Sequence, residues 1–290
     1  MFEAWRHKPW PIPRGTRRLV ALFGPEAEER LAFYRHHGYL PHLRHPRTFN
    51  EKICHRKLFR PVPGSAILAD KYAVRAFVAE RGYPEILNEL LLVTQDPQEI
   101  DFATLPQAFV VKATHGAGWL RLVRNKDETS REELVAQCNR WLNTLYGNLY
   151  REFHYNQIKP AIVVERFLVD SRHGIPADYR FFVFHGKCHF IAVDYGADGA
   201  FTRTMYSPAW KPQPFSLKLP DGIVEPRPAR LDKMLEIAEA LAKGFDFMRV
   251  DLYSVDDSTI YFGEMTLTPS AGHGRVYPSV KWDFMLGSLW

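Results

Sequence analysis

The sequence is poor in the groups that define several protein classes. It has three cysteines in 290 residues, Cys54, Cys138 and Cys188, far apart in the chain. They form no CxxC pair and no metal-ligand spacing. Their odd number argues against a disulfide framework and fits a reducing cytoplasm. No apolar run approaches the roughly 18–20 residues of a membrane-spanning helix. The opening stretch MFEAWRHKPWPIPRG lacks the apolar core of a signal peptide, so a cytoplasmic protein is expected. HExxH, GxxxxGK[ST] and GxGxxG are all absent, which removes the usual signatures of zinc peptidases, P-loop proteins and dinucleotide-binding folds. No Ser-His-Asp or Cys-His arrangement suggests a nucleophilic enzyme. There is no internal repeat and no low-complexity segment.

What is present suits one large or two modest domains, since 46% of residues are hydrophobic and only 24% charged. The net charge of +5 and pI near 9 suggest an acidic or phosphorylated ligand or an anionic surface, although a solvated basic face would read the same. Part of the excess lies in Arg14-Gly15-Thr16-Arg17-Arg18 and in the His/Arg-rich stretch from Arg35 to Arg47. Aromatics with Arg and Lys near residue 1 could touch a membrane surface. No nucleic-acid partner is expected. His36-His37 reads as a helix-flanking pair rather than as metal ligands.

Pattern along the chain gives an α+β protein with antiparallel sheets flanked by helices. Residues 1–20 are rich in Pro and Arg and read as irregular. Helices are expected over 26–37, from Thr48 or Asn50 onward, over 69–81 ended by Gly82, over 130–145 and over 231–243. Ser130 with Glu133 reads as a capping box. Strands are expected near 86–93, 109–112, 161–168, 179–184 and 188–194, the last two joined at His185-Gly186-Lys187. Pro208 to Pro228 reads as a loop or flap. The stretch MRVDLYSVDDSTIYFGEMTLTPS, residues 248–270, reads as a hairpin with a polar turn at 256–259. If Val255 faces Ile260, Asp251 lies opposite Glu264 and Arg249 opposite Thr266. Like charges with Cβ atoms roughly 4.5–5.5 Å apart repel. A shared hard cation that takes oxygen ligands would relieve this. An exposed sheet face with incidental acids is the alternative.

Four other stretches carry chemistry with equally plain alternatives. FVVKATHGAGWLRLV (109–123) is a strand ending in Lys112, then the small loop Thr114-His115-Gly116-Ala117-Gly118. Glycines there let backbone N–H groups approach phosphate oxygens, or simply make a hairpin turn. AIVVERFL (161–168) is an apolar strand broken by Glu165-Arg166, either an acceptor for an adenine amino group or a strand emerging into solvent. In DYRFF (178–182) strand alternation puts Asp178 and Arg180 on one face, as ligand contacts or as a surface pair. Lys71 opens a helix and reaches a phosphate or solvent.

In order, these pieces resemble the ATP-grasp superfamily and, more closely, the TupA-like ATP-grasp family of bacterial polysaccharide biosynthesis. The matching words are TFNEKI (48–53), ADKYAVRAFV (69–78), LPQAFVVKATHGAG (105–118), IVVERFL (162–168), DYRFFVFHGK (178–187), FMRVDLYSV (247–255) and YFGEMTLTPSAG (261–272). The resemblance implies an ATP-grasp fold, in which two α+β subdomains clamp ATP, here with an N-terminal helical extension. It divides the chain into an N-terminal region (1–60), subdomains with the glycine loop (61–168) and a C-terminal subdomain with a metal site (169–290). It implies ATP and Mg²⁺ as cofactors. Lys71 and Lys112 would contact phosphates, and the loop with Thr114, His115, Gly116 and Gly118 would close over them. Glu165 would meet the adenine amino group, and Arg166, Phe167 and Leu168 would form the hinge. Asp178 would meet the ribose and Arg180 the γ-phosphate. Asp251, Glu264 and Thr266 would hold Mg²⁺, and Arg249 would stabilise the transferring phosphoryl group. ATP-grasp ligases often have Asn where Thr266 stands, while the TupA-like group resembles the Glu264-Met265-Thr266 pattern, a subfamily trait that leaves the number of metal ions open.

The implied activity is that of an ATP-dependent, ADP-forming carboxylate–amine ligase of surface polysaccharide. It would join an amino acid to a sugar or sugar acid, or act on a lipid-linked glycan. A sugar or polyol kinase on the same fold, a glycosyltransferase and a non-catalytic nucleotide-binding module are the alternatives. The glycosyltransferase lacks its usual DxD, and the retained Lys112, Arg249, Asp251 and Glu264 argue against a dead site. Loops 196–228 and 270–283 are the expected substrate pocket, with Tyr195, Tyr206, Trp210, Tyr277 and Arg275 as candidate contacts. A homodimer is the working expectation.

Overall fold

The computed structural model describes residues 15–172, 174–196, 202–219 and 222–290. Of residues 1–20, read as irregular, 1–14 lie outside the described residues, as do parts of the expected pocket loop at 197–201 and 220–221, whereas Thr16–Ala21 form a helix. The chain divides into two compact units, one of Met1–Pro63, Ala177–Asp251 and Thr266–Trp290, the other of Gly64–Pro176 and Leu252–Met265.

In the unit built mainly from Gly64–Pro176, helices α4 (Ser65–Ala69) and α5 (Val74–Glu80) precede the strands β1 (Leu90–Thr94), β2 (Phe109–Ala113) and β3 (Leu120–Val123). Helices α6 (Arg131–Leu142) and α7 (Gly147–Tyr150) and strand β4 (Ile162–Arg166) follow. The four strands run antiparallel in the order β1-β4-β2-β3. Val111, Ala113, Ile162, Val164, Leu134 and Trp141 join one buried cluster beneath the sheet. Ser130 caps α6 by accepting from the Glu133 amide at 3.1 Å. The helix expected over 69–81 is broken. Asp70 turns extended, and its carboxylate accepts from the amides of Tyr72 and Ala73. That local alternative to the helical ladder stops α4 and restarts the chain at Val74.

The other unit opens with α1 (Thr16–Ala21), α2 (Pro25–His37) and α3 (Phe49–Phe59). Thr48 caps α3 in a reciprocal capping box with Glu51, so Thr48 and not Asn50 is the cap. After Ala177 come β5 (Asp178–Phe184), β6 (Lys187–Tyr195), β7 (Thr202–Tyr206), β8 (Ser216–Leu217), α8 (Leu231–Leu241) and β9 (Phe247–Val255). Strand β10 (Thr259–Thr266), whose residues up to Met265 belong with the Gly64–Pro176 unit, completes a hairpin with β9, and β11 (Val276–Tyr277) and α9 (Lys281–Ser288) end the chain. The sheet order is β10-β9-β5-β6-β7, and β8 pairs with β11. Strand β7 was not expected from the sequence, and neither was α9.

One face of this sheet changes character along its strands. Phe182, Ala192, Met205 and Phe247 lie in a core cluster with Phe49 and Ile53 of α3 and Leu286 of α9. Two residues along each strand the same face carries Arg180, Asp194, Arg203 and Arg249, because alternate side chains share a face. Helix α8 packs on β5 and β6. Its Leu231, Met234, Ile237, Ala238 and Leu241 are buried, as the 3.6-residue spacing predicts.

Candidate functional site

In the Gly64–Pro176 unit, register sets Lys112 opposite Val163 and Val110 opposite Glu165. Lys112 and Glu165 therefore share a sheet face one diagonal step apart, and Lys112 Nζ donates to Glu165 Oε2 at 2.6 Å. Arg75 of α5 approaches Glu165 Oε1 at 3.4 Å and also donates to the Asn88 carbonyl at 2.7 Å. Glu165 is buried and holds two cations. The break at Asp70 sets Lys71 beside the glycine loop. Its amide donates to Thr114 O at 3.3 Å and its Nζ to Gly116 O. Burial pushes the Lys71 pKa down, opposed first by the negative charge of Glu264.

Within the loop the residues divide by direction. Thr114 ties the loop to β4, with its amide donating to Ala161 O at 2.9 Å and its Oγ1 accepting from the Ala161 amide at 3.1 Å. His115 is buried, with Nε2 bonded to Trp141 O at 2.9 Å and its ring edge-on to Trp119. A side chain at Gly116 would meet Trp119 and Tyr146 at 2.8 and 2.9 Å, and Gly118 has φ of +72°. Arg166 is exposed and pairs with Glu89; its carbonyl accepts from Asn88 Nδ2 at 2.9 Å. Phe167 and Leu168 continue beyond β4, with Arg124 5.8 Å over the Phe167 ring.

In the other unit, residues from five strands interlock on the polar half of the sheet face. Arg203 donates through Nε and Nη2 to both oxygens of Asp194, at 2.6 and 2.7 Å. Arg180 binds Asp178 Oδ2 through Nε and Nη2 at 2.9 and 2.7 Å, and lies 3.2 Å from Asp194 and 3.7 Å from Asp251. Arg249 grips Asp251 at 2.7 and 2.6 Å and donates to Thr266 Oγ1 at 3.0 Å. That last contact fits the expected facing of Arg249 and Thr266. Asp178 Oδ1 is buried without a hydrogen-bond partner among the described residues. Burial raises the Asp178 pKa, opposed by Arg180 and aided by Asp194. Burial also works against ionised Asp194, but Arg203 outweighs it and the Asp194 pKa falls.

Asp194 and Arg203 were not expected as site residues. The signal was present: Asp194 faces Asp178 across the His185–Lys187 hairpin, and Arg203 faces Asp194 in the next strand. The candidate pocket residues have protein partners. Arg275 donates to His37 O at 3.1 Å. Tyr206 is buried and stacks on Trp210 at 4.0 Å, Trp210 Nε1 donates to Glu225 O at 2.9 Å, and Tyr195 is buried. A second buried cluster was missed altogether. Glu29 accepts from Lys57 at 2.9 Å, from Cys54 at 3.1 Å and bonds His273 Nε2 at 2.7 Å.

The proposed metal donors Asp251, Glu264 and Thr266 all offer oxygen, the set that suits Mg²⁺. Each Asp251 oxygen accepts one hydrogen bond from Arg249, which leaves a second lone pair on each oxygen for a cation.

No curated protein matches the sequence. Several solved structures show distant likeness. D-alanine–D-alanine ligase from Bacillus anthracis complexed with ATP is 17% identical, with 71% of this chain and 56% of that one covered and a TM-score of 0.44. The ADP complex of purK, an N5-carboxyaminoimidazole ribonucleotide synthetase, is 14% identical, with 70% and 46% covered and a TM-score of 0.42. The D-cycloserine synthetase DcsG is 16% identical, with 72% and 65% covered and a TM-score of 0.42. The chain spans about half the length of the first two. The sequence model of the TupA-like ATPgrasp family matches residues 51–290, nearly all of the sequence after α2, and the chain therefore belongs to the TupA-like ATP-grasp family, with an α+β ATP-grasp fold.

Proposed function

We propose that this chain is an ATP-dependent carboxylate–amine ligase. A substrate carboxylate oxygen attacks the γ-phosphorus of ATP, the bond to the bridging oxygen breaks, and ADP leaves. The resulting acylphosphate is attacked by an amine nitrogen. Its C–O bond breaks, phosphate departs, and an amide forms as the amine loses a proton to solvent or phosphate. The observation that carries this reading is the row of buried Arg203, Asp194, Arg249 and Asp251 with half-buried Arg180 and Asp178. It contains no thiol or imidazole nucleophile. What it offers is fixed charge, which phosphoryl transfer needs most.

In this reading Lys71 and Lys112 bind ATP phosphates. The inward anchoring of Thr114 and His115 leaves the backbone of Gly116 to Gly118 as the part of the loop that approaches them. Glu165 accepts from the adenine amino group, with Arg166, Phe167 and Leu168 along the purine edge. The open Oδ1 of Asp178 accepts from a ribose hydroxyl. Arg180 and Arg249 neutralise the transferring phosphoryl group, and Arg249 the tetrahedral species that follows. Asp251, Glu264 and Thr266 hold Mg²⁺, which when bound supplies positive charge to the phosphate oxygens. The substrates are an amino acid and a sugar or sugar acid, or a lipid-linked glycan of the cell surface, handled in the cytoplasm.

Calorimetric titration of a non-hydrolysable ATP analogue with and without Mg²⁺, followed by an ADP-release screen over carboxylate and amine pairs, tests the proposal. Mg²⁺-enhanced binding and ADP release that needs both substrates would support it. A phosphorylated product formed without amine would replace it with a kinase. No nucleotide binding by folded protein would overturn it.

A further inference from the structure

Away from the charged row, α2, α3 and the turn after β10 bury a second set of functional groups. Glu29 of α2 and Cys54 and Lys57 of α3 are buried, and the His273 side chain is only 7% exposed. Cys54 shares an apolar cluster with Phe33 and Leu43. Charged and polar groups in such a setting are paired or coordinate a metal. All four residues belong to one compact unit of the chain, so their arrangement does not involve the other. One oxygen of Glu29 is taken by Lys57, whose ammonium donates to Oε2 at 2.9 Å and to Ala271 O at 2.7 Å.

The other oxygen, Oε1, is where two more groups meet. Cys54 Sγ donates to it at 3.1 Å, and His273 Nε2 lies 2.7 Å from it. An ionised carboxylate only accepts, so Nε2 carries a proton aimed at the same oxygen. Thiol, imidazole and carboxylate thus converge, and their ligand atoms all lie within 4.8 Å of one another. Zn²⁺ binds these three donor types tetrahedrally at about 2.0–2.3 Å, which sets ligand atoms roughly 3.3–3.8 Å apart. Side-chain shifts of under about 1 Å therefore seat such an ion. The backbone is shaped to bring the donors together. Ser270 and Ala271 take left-handed φ of 49° and 54° just ahead of His273, a strained conformation that persists only where surrounding contacts hold it. A Cβ at Gly272 would lie 2.6 Å from Cys54 Sγ, so glycine lets the turn abut the thiol.

We propose that Glu29, Cys54 and His273 form a site for a divalent transition-metal ion of the Zn²⁺ class, with water as the fourth ligand. Binding breaks the Cys54 S–H bond, and that proton goes to solvent. The Nε2 proton of His273 is replaced by one on Nδ1, which leaves the Nε2 lone pair for the metal. The ion then bonds Sγ, Nε2 and Oε1 while Lys57 keeps Oε2. Ion and ammonium together exceed thiolate and carboxylate in charge, and the carbonyls of Ala271 and Gly272, 3.9 and 4.0 Å from Sγ, offset the excess. Sulfur and nitrogen donors distinguish this site from one for Mg²⁺, which takes oxygen. The site ties α2 and α3 to the turn after β10 and is independent of the ligase reading.

The test is titration of the full chain, freed of metal with a chelator, with Co²⁺ as a coloured substitute for Zn²⁺. Thiolate ligation gives a sulfur-to-cobalt charge-transfer band in the near ultraviolet, and tetrahedral geometry gives intense visible bands. Wild-type protein is expected to show both, saturating at about one ion per chain, with Zn²⁺ bleaching them and an excess of Mg²⁺ leaving them in place. Cys54→Ser is expected to lose the charge-transfer band, whereas Cys138→Ser/Cys188→Ser keeps it. His273→Gln is expected to weaken Co²⁺ binding by at least about tenfold, which gives a second variant that leaves the thiol intact. Circular dichroism checks that each variant is folded. Absence of the charge-transfer band in folded wild-type protein would overturn the proposal and leave a hydrogen-bonded polar cluster. So would a band that survives in Cys54→Ser, or undiminished Co²⁺ affinity in His273→Gln.

Discussion

Arg249 holds Asp251 by two parallel hydrogen bonds, Nε to Oδ1 at 2.7 Å and Nη2 to Oδ2 at 2.6 Å, with both residues buried. The planar fork of guanidinium matches both carboxylate oxygens, and an ammonium cannot. In the proposed reaction the same guanidinium faces the transferring phosphoryl group. Arg249→Lys keeps the charge and loses the fork. ADP release by this variant is expected to fall by about 10²-fold or more, the scale of losing one oriented donor to a developing charge. Affinity for a non-hydrolysable ATP analogue should change by less than about tenfold, a little over 1 kcal/mol. An equal loss in both measurements would assign Arg249 to nucleotide binding instead.

Glu165 is poised differently, since it takes one cation on each oxygen, Lys112 at 2.6 Å and Arg75 at 3.4 Å. Glu165→Gln preserves shape but removes the charge that orients Lys112. Hydrogen bonds to charged groups contribute about 1.5–3 kcal/mol, so ATP-analogue affinity is expected to fall roughly tenfold or more. If Glu165 also meets the adenine amino group, the preference for ATP over GTP should narrow in the same titrations. An unchanged preference would restrict Glu165 to positioning Lys112.

Much of this site was legible because strand alternation is a short-range rule. Asp178 with Arg180 and Arg249 with Asp251 are i, i+2 pairs, and both share a face as expected. Asp194 and Arg203 needed register across two further strands, and β7 was not recognised, so two of the six residues of the row were missed. The helix over 69–81 failed for a local reason. Asp70 has the side chain to cap its own downstream amides, and nothing in the apolar spacing reveals that it does. The inward turn of His115 was out of reach, because Trp141, which accepts its hydrogen bond, lies 26 residues along the chain.

The Glu29 cluster yields a stability prediction unconnected with nucleotide. Glu29 and Lys57 have fully buried side chains, paired at 2.9 Å, and Lys57 also donates to Ala271 O at 2.7 Å. Removing one partner strands the other charge, which costs about 3–5 kcal/mol. Glu29→Ala is expected to lower the unfolding free energy from denaturant titration by that amount, whereas the double change Glu29→Leu/Lys57→Met should recover most of the loss. If the double variant is no better than the single one, the cost lies with Cys54 and His273, which also bond Glu29.

His37 gives the fold a defined acid sensitivity. It ends α2, stacks on Phe33 at 4.1 Å and bonds the Gly272 carbonyl through Nε2 at 3.0 Å. Desolvation pushes its pKa down to about 3, opposed by the Gly272 carbonyl and reinforced by His273, His36 and Arg275. An unfolded histidine titrates near 6.5, so between about pH 6.5 and about 3 the unfolded chain binds a proton that the folded chain refuses. Stability from neutral His37 is complete above that window and is lost as pH falls through it. His37→Gln keeps a donor for Gly272 but cannot titrate. Carboxylates titrate in both proteins, so the difference between their thermal midpoints isolates His37. The wild type is expected to be the more stable at pH 7, with its lead shrinking steadily toward pH 4. Curves that stay parallel over that range would mean that His37 takes up its proton alike in the folded and unfolded chains, and would place the acid sensitivity of the fold elsewhere.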